Sequence, residues 1–372
     1  MRLKSPVAPP TGMLAELTHR CPLRCPYCSN PLDLDRRSKE IDTKTWCRVF
    51  SEAAEIGVIH VHLSGGEPTS RSDLEIIVAH CHAVGLYTNL ITSGISVDIV
   101  KLEALAMAGL DHVQLSMQDT RDEVADVISG LKGSHHQKLG FAKGVIDLEL
   151  PLTINTVIHR RNIDKIEEFV GLAVSLGARR IEIAHAQYYG WALKNRDALM
   201  PTREQTIEAV QVVERLRAEY KGVIVIDAVV PDYYARYPKP CMGGWGRQSL
   251  NVTPVGKVLP CHAAETIKEL EFWSVIDYPL SDIWERSPAF SAFRGTGWMR
   301  EPCSTCARRE IDWGGCRCQA LSITGSAREA DPACHLSKFN PTLVALAESD
   351  SVASTLDYQY REFAKKIKES EA

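Results

Sequence analysis

Long apolar runs are missing from this sequence. No segment approaches the roughly 18 uninterrupted apolar residues of a membrane-spanning helix, which argues against a helical membrane protein. An excess of one charge is missing too: 43 Lys and Arg stand against 47 Asp and Glu, a formal net charge of -4. No overall field therefore draws the chain to nucleic acid or to an anionic membrane. Internal repeats and low-complexity tracts are absent, which excludes solenoids and disordered polymers. The first ten residues carry two cations, Arg2 and Lys4, but no apolar stretch of the signal-peptide type. The expected location is the cytoplasm. What remains is 372 residues at 45% hydrophobic and 24% charged, an ordinary globular composition with length for one large core or two domains.

Cysteine is present in unusual number. Twelve thiols in a cytoplasmic chain are not expected to pair as disulfides, because that compartment keeps them reduced. Three stand together at Cys21, Cys25 and Cys28, and seven fall between Cys241 and Cys334. Only Cys47 and Cys81 stand apart, on helix candidates among apolar neighbours, and read as small core residues. Two groups of thiols predict two metal-bearing regions.

From residue 13 to about 228, short apolar runs alternate with amphipathic stretches, the pattern of strand–helix units around a parallel sheet. Six strands are expected, at 13–17, 58–63, 86–92, 112–117, 152–158 and 180–185. Helices are expected at about 43–56, 72–84, 97–109, 135–149, 163–176 and 203–219. Asp42, Ser72 and Thr202 are placed as start signals, and Gly57, Gly85 and Gly177 as stops. Six units without a glycine-rich phosphate turn favour an α/β fold of the partial (β/α)6 TIM-type barrel over an open doubly wound sheet. Catalytic groups then belong at the carboxyl ends of the strands. After residue 228 the texture turns to Pro, Gly, Cys and Trp, which cannot supply a core by repeating structure and calls for metals. The expected organisation is thus a barrel over 1–228, a Cys-rich domain over 229–339, and a polar tail or helix over 340–372.

The first cysteine cluster, CPLRCPYC, has the spacing CX3CX2C and follows the first strand directly. At this cysteine content such a triplet arises by chance in roughly 0.01 chains of this length. Three thiolates suit three corners of a 4Fe–4S cube with the fourth iron open; a zinc site completed by His19 or a distant thiol is the plainer alternative. One unit later, at the next strand end, stands Ser64-Gly65-Gly66-Glu67-Pro68. Its glycines let backbone approach a ligand, and Glu67 has a carboxylate to accept from an ammonium group; alone, the pentad reads as a plain turn.

CX3CX2C with an aromatic before the last Cys, followed by GGEP, resembles the radical S-adenosylmethionine (SAM) superfamily over roughly residues 13–228. The resemblance implies that Cys21, Cys25 and Cys28 hold a 4Fe–4S cluster whose open iron chelates SAM. It further implies that Glu67 and the Gly65-Gly66 backbone support the SAM amino group and that Tyr27 lies along the adenine. Reductive cleavage of SAM then gives a 5'-deoxyadenosyl radical that takes hydrogen from substrate. Thr92-Ser93-Gly94, Ser116, Gln118 and Asn155 are polar groups at strand ends that either address SAM or cap loops, with Ser116 the first choice. His185, Gln187, Tyr188 and Tyr189, after the sixth strand, are placed on the same cavity or in the structure around it.

The second cysteine group, CX14GX4C, then CX2CX5DX3CXC, then Cys334, resembles the SPASM extension of radical SAM peptide-modifying enzymes. Asp312 occupies a position where that family usually has Cys. The family connectivity implies one auxiliary cluster on Cys303, Cys306, Asp312 and Cys334 and a second on Cys241, Cys261, Cys316 and Cys318. Asp312 as an exposed loop residue is the alternative. A 2Fe–2S centre suits the second set, since Cys316 and Cys318 are close enough to share one iron. Trp245 and Arg247 beside Cys241 are left without a role.

The segments GLYTNLITSG, CMGGWGR, LPCHAA and WGGCRCQA narrow the resemblance to the branch that acts in pyrroloquinoline quinone (PQQ) biosynthesis. That implies carbon–carbon bond formation between a Glu and a Tyr side chain of the precursor peptide PqqA. Its implied partners are the peptide chaperone PqqD and a flavodoxin-type or other low-potential reductant. The alternatives are another SPASM-type modification such as sulfatase maturation, and a non-enzymatic iron–sulfur electron carrier.

Overall fold

Seven strands of the first 229 residues run parallel and adjacent in chain order, because each is returned to the same end of the sheet by a helical crossover. They are β1 (Gly12–Thr18), β2 (His60–Gly65), β3 (Tyr87–Thr92), β4 (His112–Met117), β5 (Leu152–Ile158), β6 (Arg180–His185) and β7 (Val225–Val229). Two more, β8 (Ser249–Val252) and β9 (Val258–Leu259), extend the sheet beyond β1, β8 parallel and β9 antiparallel. The structure, a computed structural model, describes residues 7–229, 232–352 and 357–362. Among these no ladder joins β7 to β9, and the curved sheet is a partial barrel.

The crossovers carry α1 (Thr43–Glu55), α2 (Leu74–Ala83), α3 (Ile99–Met107), α4 (Asp122–Ser129), α5 (Ser134–Asp147) and α6 (Ile166–Ser175), with a longer helix Arg203–Glu219 before β7. Period-two alternation turns Val61 and Leu63, Val113 and Leu115, and Ile181 and Ile183 toward the helices. There they meet Trp46 and Phe50 of α1, Leu102 and Leu105 of α3, and Phe169 of α6 in one core. The intervening residues, His62, Gln114 and Glu182 among them, form the polar inner face.

Local signals explain most boundaries. Asp42 caps α1 by accepting from the Thr45 N–H at 2.8 Å, and Thr202 with Gln205 closes a reciprocal capping box on helix Arg203–Glu219. Ser72 does not cap α2; Asp73 stands at that position and is engaged by Arg71 instead. The seventh strand, β7, was not among the expected six. Its Val225, Asp227 and Val229 alternate poorly in polarity and are exposed or half-exposed, as at a sheet edge. Helix α4 was also unexpected, being a short element inside a stretch that reads as loop.

The core does not stop at β7. Leu250, Val252, Val258, Leu280, Ile283 and Phe290 share one apolar cluster with the barrel helices. The Cys-rich region therefore leans on the barrel through β8 and this shared packing. Toward the chain end, helix Asn340–Ser351 is fastened by the Arg196–Asp350 ion pair, and residues 357–362 lie against the cysteine loop.

Candidate functional site

The loop after β1 and the loop after β2 are zipped together by backbone. Gly66 N–H donates to Thr18 O and Glu67 N–H to Arg20 O, both at 2.6 Å. A Cβ on Gly65 would stand 2.3 Å from Thr18 O, and one on Gly66 2.3 Å from Arg20 O. The glycine pair thus permits contact between the two loops, which the sequence reading assigned to approach of a ligand. The consequence is that the segment bearing Cys21, Cys25 and Cys28 is held across the carboxyl ends of the strands.

All three thiols line one cavity of about 340 Å³, together with Ser64, Gly65 and Gly66. Burial pushes the Cys21 thiol up to about 11 and the Cys25 thiol up to about 12, and raises Cys28 as well. Thiolates form in such a place only against positive charge, so the donor set fits an iron–sulfur cluster. His19 is turned away: its Nδ1 accepts from Asp35 N–H at 3.0 Å and its Nε2 faces Glu16. Among the described residues no three His, Cys, Asp or Glu side chains converge on one point as a single ion requires. A cluster instead takes its ligands around a cage.

The remaining walls come from the strand ends. Tyr27, Ser116, Gln118, Asn155, Val157 and Tyr189 all line the cavity. Gln118 is 2% exposed and its Oε1 lacks a hydrogen-bond partner, an acceptor that a ribose hydroxyl or adenine amino group of SAM would satisfy. Asn155 is tied from behind, donating to Glu182 Oε2 at 3.0 Å. Glu182 also accepts from Gln114, which accepts from Asn89, so a polar ladder runs beneath the cavity floor. His185 and Gln187 line the cavity, and burial holds His185 down at about 4, a neutral ring. Tyr188 lies outside this cavity, in the structure around it, and packs edge-on against Tyr233.

Glu67 departs most. It is 2% exposed, and its carboxylate accepts from the Thr69 N–H and hydroxyl, the Thr92 hydroxyl, and the Ser93 N–H and hydroxyl, at 2.5 to 3.1 Å. It lies behind the wall and fixes the loop after β3, with Thr92 and Ser93 as capping groups. Gly94 lies outside this cavity, packed toward Phe141. Sequence reasoning also missed Lys138. Fully buried on α5, it donates to Ser93 O at 2.9 Å and Ser116 O at 2.8 Å, and burial lowers its ammonium to about 8. Its signal was a lone Lys on the inward side of an amphipathic helix.

The second cysteine group separates into two sets. Cys241 contacts Cys261 and Cys316, and Cys318 contacts the same two, so four reduced thiols close a ring. Cys303, Cys306, Asp312 and Cys334 line a separate small cavity, where Asp312 is 7% exposed. Its carboxylate accepts from Gly314 N–H at 3.2 Å and pairs with Arg308 at 3.4 Å, so it is no exposed loop residue. Asp331 links the sets: it lines the second cavity and accepts from Cys316 N–H at 2.5 Å. Trp245 is buried and donates to Ala289 O at 2.8 Å, and Arg247 stacks 3.7 Å over Trp313. Both serve packing in this geometry. Cys47 on α1 is half-buried and Cys81 on α2 buried.

Comparison with known proteins agrees with this geometry. Residues 15–173 match the radical SAM superfamily, and residues 241–307 match the SPASM iron-sulfur cluster-binding domain. The PqqA peptide cyclase of Methylorubrum populi is 61% identical over 352 residues, covering 95% of this chain and 92% of that relative. The PqqA peptide cyclase of Methylobacterium nodulans is 60% identical over 363 residues, 97% of this chain and 96% of its own. Among solved structures, Streptococcus suis SuiB bound to S-adenosylmethionine superposes with a TM-score of 0.75 at 18% identity, covering 88% of this chain and 78% of SuiB. That likeness bears on the fold. Cysteine loop, cavity and close relatives together place the chain in the radical SAM superfamily, in the SPASM-bearing branch of the PqqA peptide cyclases.

Proposed function

We propose that this oxidoreductase joins a Glu and a Tyr side chain of the precursor peptide PqqA by a carbon–carbon bond, in the cytoplasm, with PqqD presenting the peptide. The observation that carries the reading is the convergence of Cys21, Cys25 and Cys28 on one cavity whose other walls include polar groups at the strand ends. In this reading those three thiolates hold the SAM-binding 4Fe–4S cluster. Cys241, Cys261, Cys316 and Cys318 hold one auxiliary cluster, of 2Fe–2S or 4Fe–4S type; Cys303, Cys306, Asp312 and Cys334 hold the other. When bound, these groups and SAM supply the radical that takes the Glu γ-hydrogen and the sink for the electron that leaves the Tyr ring.

The chain's own residues bind and orient. The Ser64–Gly66 backbone, Ser116, Gln118 and Asn155 address the polar groups of SAM, and Tyr27 flanks the adenine. Ile91, Met117 and Val157 are apolar parts of the wall and exclude water, which protects a carbon radical from quenching. Bond formation removes one hydrogen atom from the γ-carbon and one proton plus one electron from the ring, so the product is lighter by two hydrogens. A flavodoxin-type or other low-potential donor completes the cycle. The test is mass spectrometry of PqqA after anaerobic incubation with the reconstituted protein, SAM, PqqD and a strong reductant. Loss of two hydrogens with formation of 5'-deoxyadenosine supports the reading. An unchanged peptide mass with intact clusters contradicts it.

A further inference from the structure

The loop between β1 and α1 has little regular structure of its own; among its residues only Arg37–Lys39 form a short helical turn. Backbone carbonyls in such a loop need donors from elsewhere if they are to be buried. Several of those donors come from, or are shared with, a segment more than 330 residues away. Arg361 is 9% exposed, and its guanidinium donates to Leu23 O at 2.7 Å and Cys21 O at 3.1 Å. Asn195, 1% exposed, donates to Pro26 O at 3.1 Å. The same amide pairs reciprocally with the Gln359 backbone, accepting from its N–H at 2.7 Å and donating to its carbonyl at 3.0 Å. Next in line, the Tyr360 hydroxyl donates to Val127 O at 2.6 Å, and its ring lies 5.4 Å under the Arg24 guanidinium. Arg24 donates in turn to Gly130 O at 3.1 Å.

We infer that residues 357–362 are a clasp that sets the backbone between the three cluster cysteines, with Arg361 its positioning residue. The inference rests on the reading of Cys21, Cys25 and Cys28 as the SAM-cluster ligands. Two features make Arg361 more than one loop contact. It reaches the carbonyl of Cys21 and that of Leu23, the middle of the three residues between the first two cysteines, so it fixes the interval over which two corners of a cage must be spaced. It is also a buried cation that interacts electrostatically with Cys21 and Cys28, and a fixed positive charge there favours the reduced, more negative state of a cluster. Gln359 and Asn195 act at the other interval, at Pro26 between Cys25 and Cys28. Both Arg361 bonds leave the same nitrogen, Nη2, and lysine keeps the charge but not the length and planar geometry that bring that nitrogen to both carbonyls.

The test uses the full chain, anaerobically reconstituted, as wild type, Arg361→Ala, Arg361→Lys, Asn195→Ala and a Cys21/Cys25/Cys28→Ala triple variant. Iron and sulfide are counted, and the electron paramagnetic resonance (EPR) spectrum of the reduced protein is recorded with and without SAM. The midpoint potential of the SAM-responsive centre is measured as well. Circular dichroism and the auxiliary-cluster signals report whether each variant is folded. In Arg361→Ala the clasp predicts retained auxiliary signals, a SAM-responsive signal that is lost or needs about tenfold more SAM, and a lower midpoint potential. Arg361→Lys recovers the potential and only part of the SAM response; Asn195→Ala weakens the response with the potential near wild type. If folded Arg361→Ala matches wild type in iron, potential and SAM response, the clasp is overturned and the functional reading stands. Should Arg361→Ala not fold, an unaltered SAM response in both Asn195→Ala and Arg361→Lys overturns it. Absence of a SAM-responsive signal in wild type, or its persistence in the triple variant, overturns the functional reading and the clasp with it.

Discussion

The Tyr189 phenol is hydrogen-bonded to Nε2 of His262, the neighbour of Cys261, while the same ring lines the cavity that holds Cys28. Its surroundings include Cys261, Cys316 and Cys318 on one side and Cys28 on the other, and burial keeps the phenol protonated far above its ordinary range. Tyr189 therefore stands near both the first cysteine group and the Cys241 set.

Tyr189→Phe keeps the ring and removes the bond to His262. In the proposed reaction this loosens the Cys261 side of the wall without disturbing SAM. The expected outcome is 5'-deoxyadenosine formation close to wild type with cross-linked peptide reduced about tenfold, the scale of one lost buried hydrogen bond. The ratio of the two products, measured by liquid chromatography with mass detection, checks it; an unchanged ratio counts against a role for the pair.

Glu67→Gln tests the carboxylate behind the wall. Five donors converge on Glu67, and an amide presents an NH2 group where one acceptor oxygen stood. Stability is expected to fall by about 2 kcal/mol or more, because buried donors lose their charged acceptor. Denaturant unfolding under anaerobic conditions reads this directly. Were Glu67 instead to act on SAM, stability would hold and only SAM binding would weaken.

Asp312→Cys replaces an oxygen donor by sulfur within a cavity that already has three thiols. A thiolate is the softer, more electron-rich ligand, so the variant is expected to retain iron against chelators longer and to show a lower midpoint potential. Redox titration followed by EPR gives the answer. An identical potential and iron loss would remove Asp312 from the ligand set.

Acid sensitivity follows from His62 on the polar inner face, where burial and the neighbouring His60 and His112 hold it down at about 4. The unfolded chain takes up that proton near pH 6.5, the folded chain only near 4, so stability is lost as pH falls through this interval. Between pH 6.5 and 5 this one group accounts for about 2 kcal/mol. His62→Asn should flatten the fall in unfolding free energy over that range by this order, measured by denaturant titration at each pH. A slope equal to wild type would contradict a buried neutral His62.

Much of the site was legible because its chemistry is carried by rare residues at fixed spacing. Cys21, Cys25 and Cys28 announce themselves by spacing, and the two sets of the second group follow from the family pattern, the Asp312 departure included. Strands β1 to β6 were readable because apolar residues that face the helices recur along each of them, alternating in β2, β4 and β6 with polar ones on the inner face. The edge strand β7 was not, since only Ile226 and Ala228 face the core while the apolar Val225 and Val229 lie exposed on the other face and spoil the alternation. Lys138, Arg361 and Asp331 escaped for another reason. Each acts through backbone carbonyls or N–H groups of distant segments, and no local sequence signal marks a side chain whose partners lie tens to hundreds of residues away. Glu67 was found in its motif, yet its partners, Thr92 and Ser93, sit one strand over and decide what it does.

The central claim is that the three-thiol centre keeps one iron open and that SAM fills it. Electron–nuclear double resonance on the reduced protein with SAM labelled by 15N at the methionine amino group tests this most directly. A resolved hyperfine coupling to that nitrogen, absent when Cys21, Cys25 and Cys28 are replaced by Ala, is the predicted result. A centre that forms in full yet shows no coupling to labelled SAM would contradict the account.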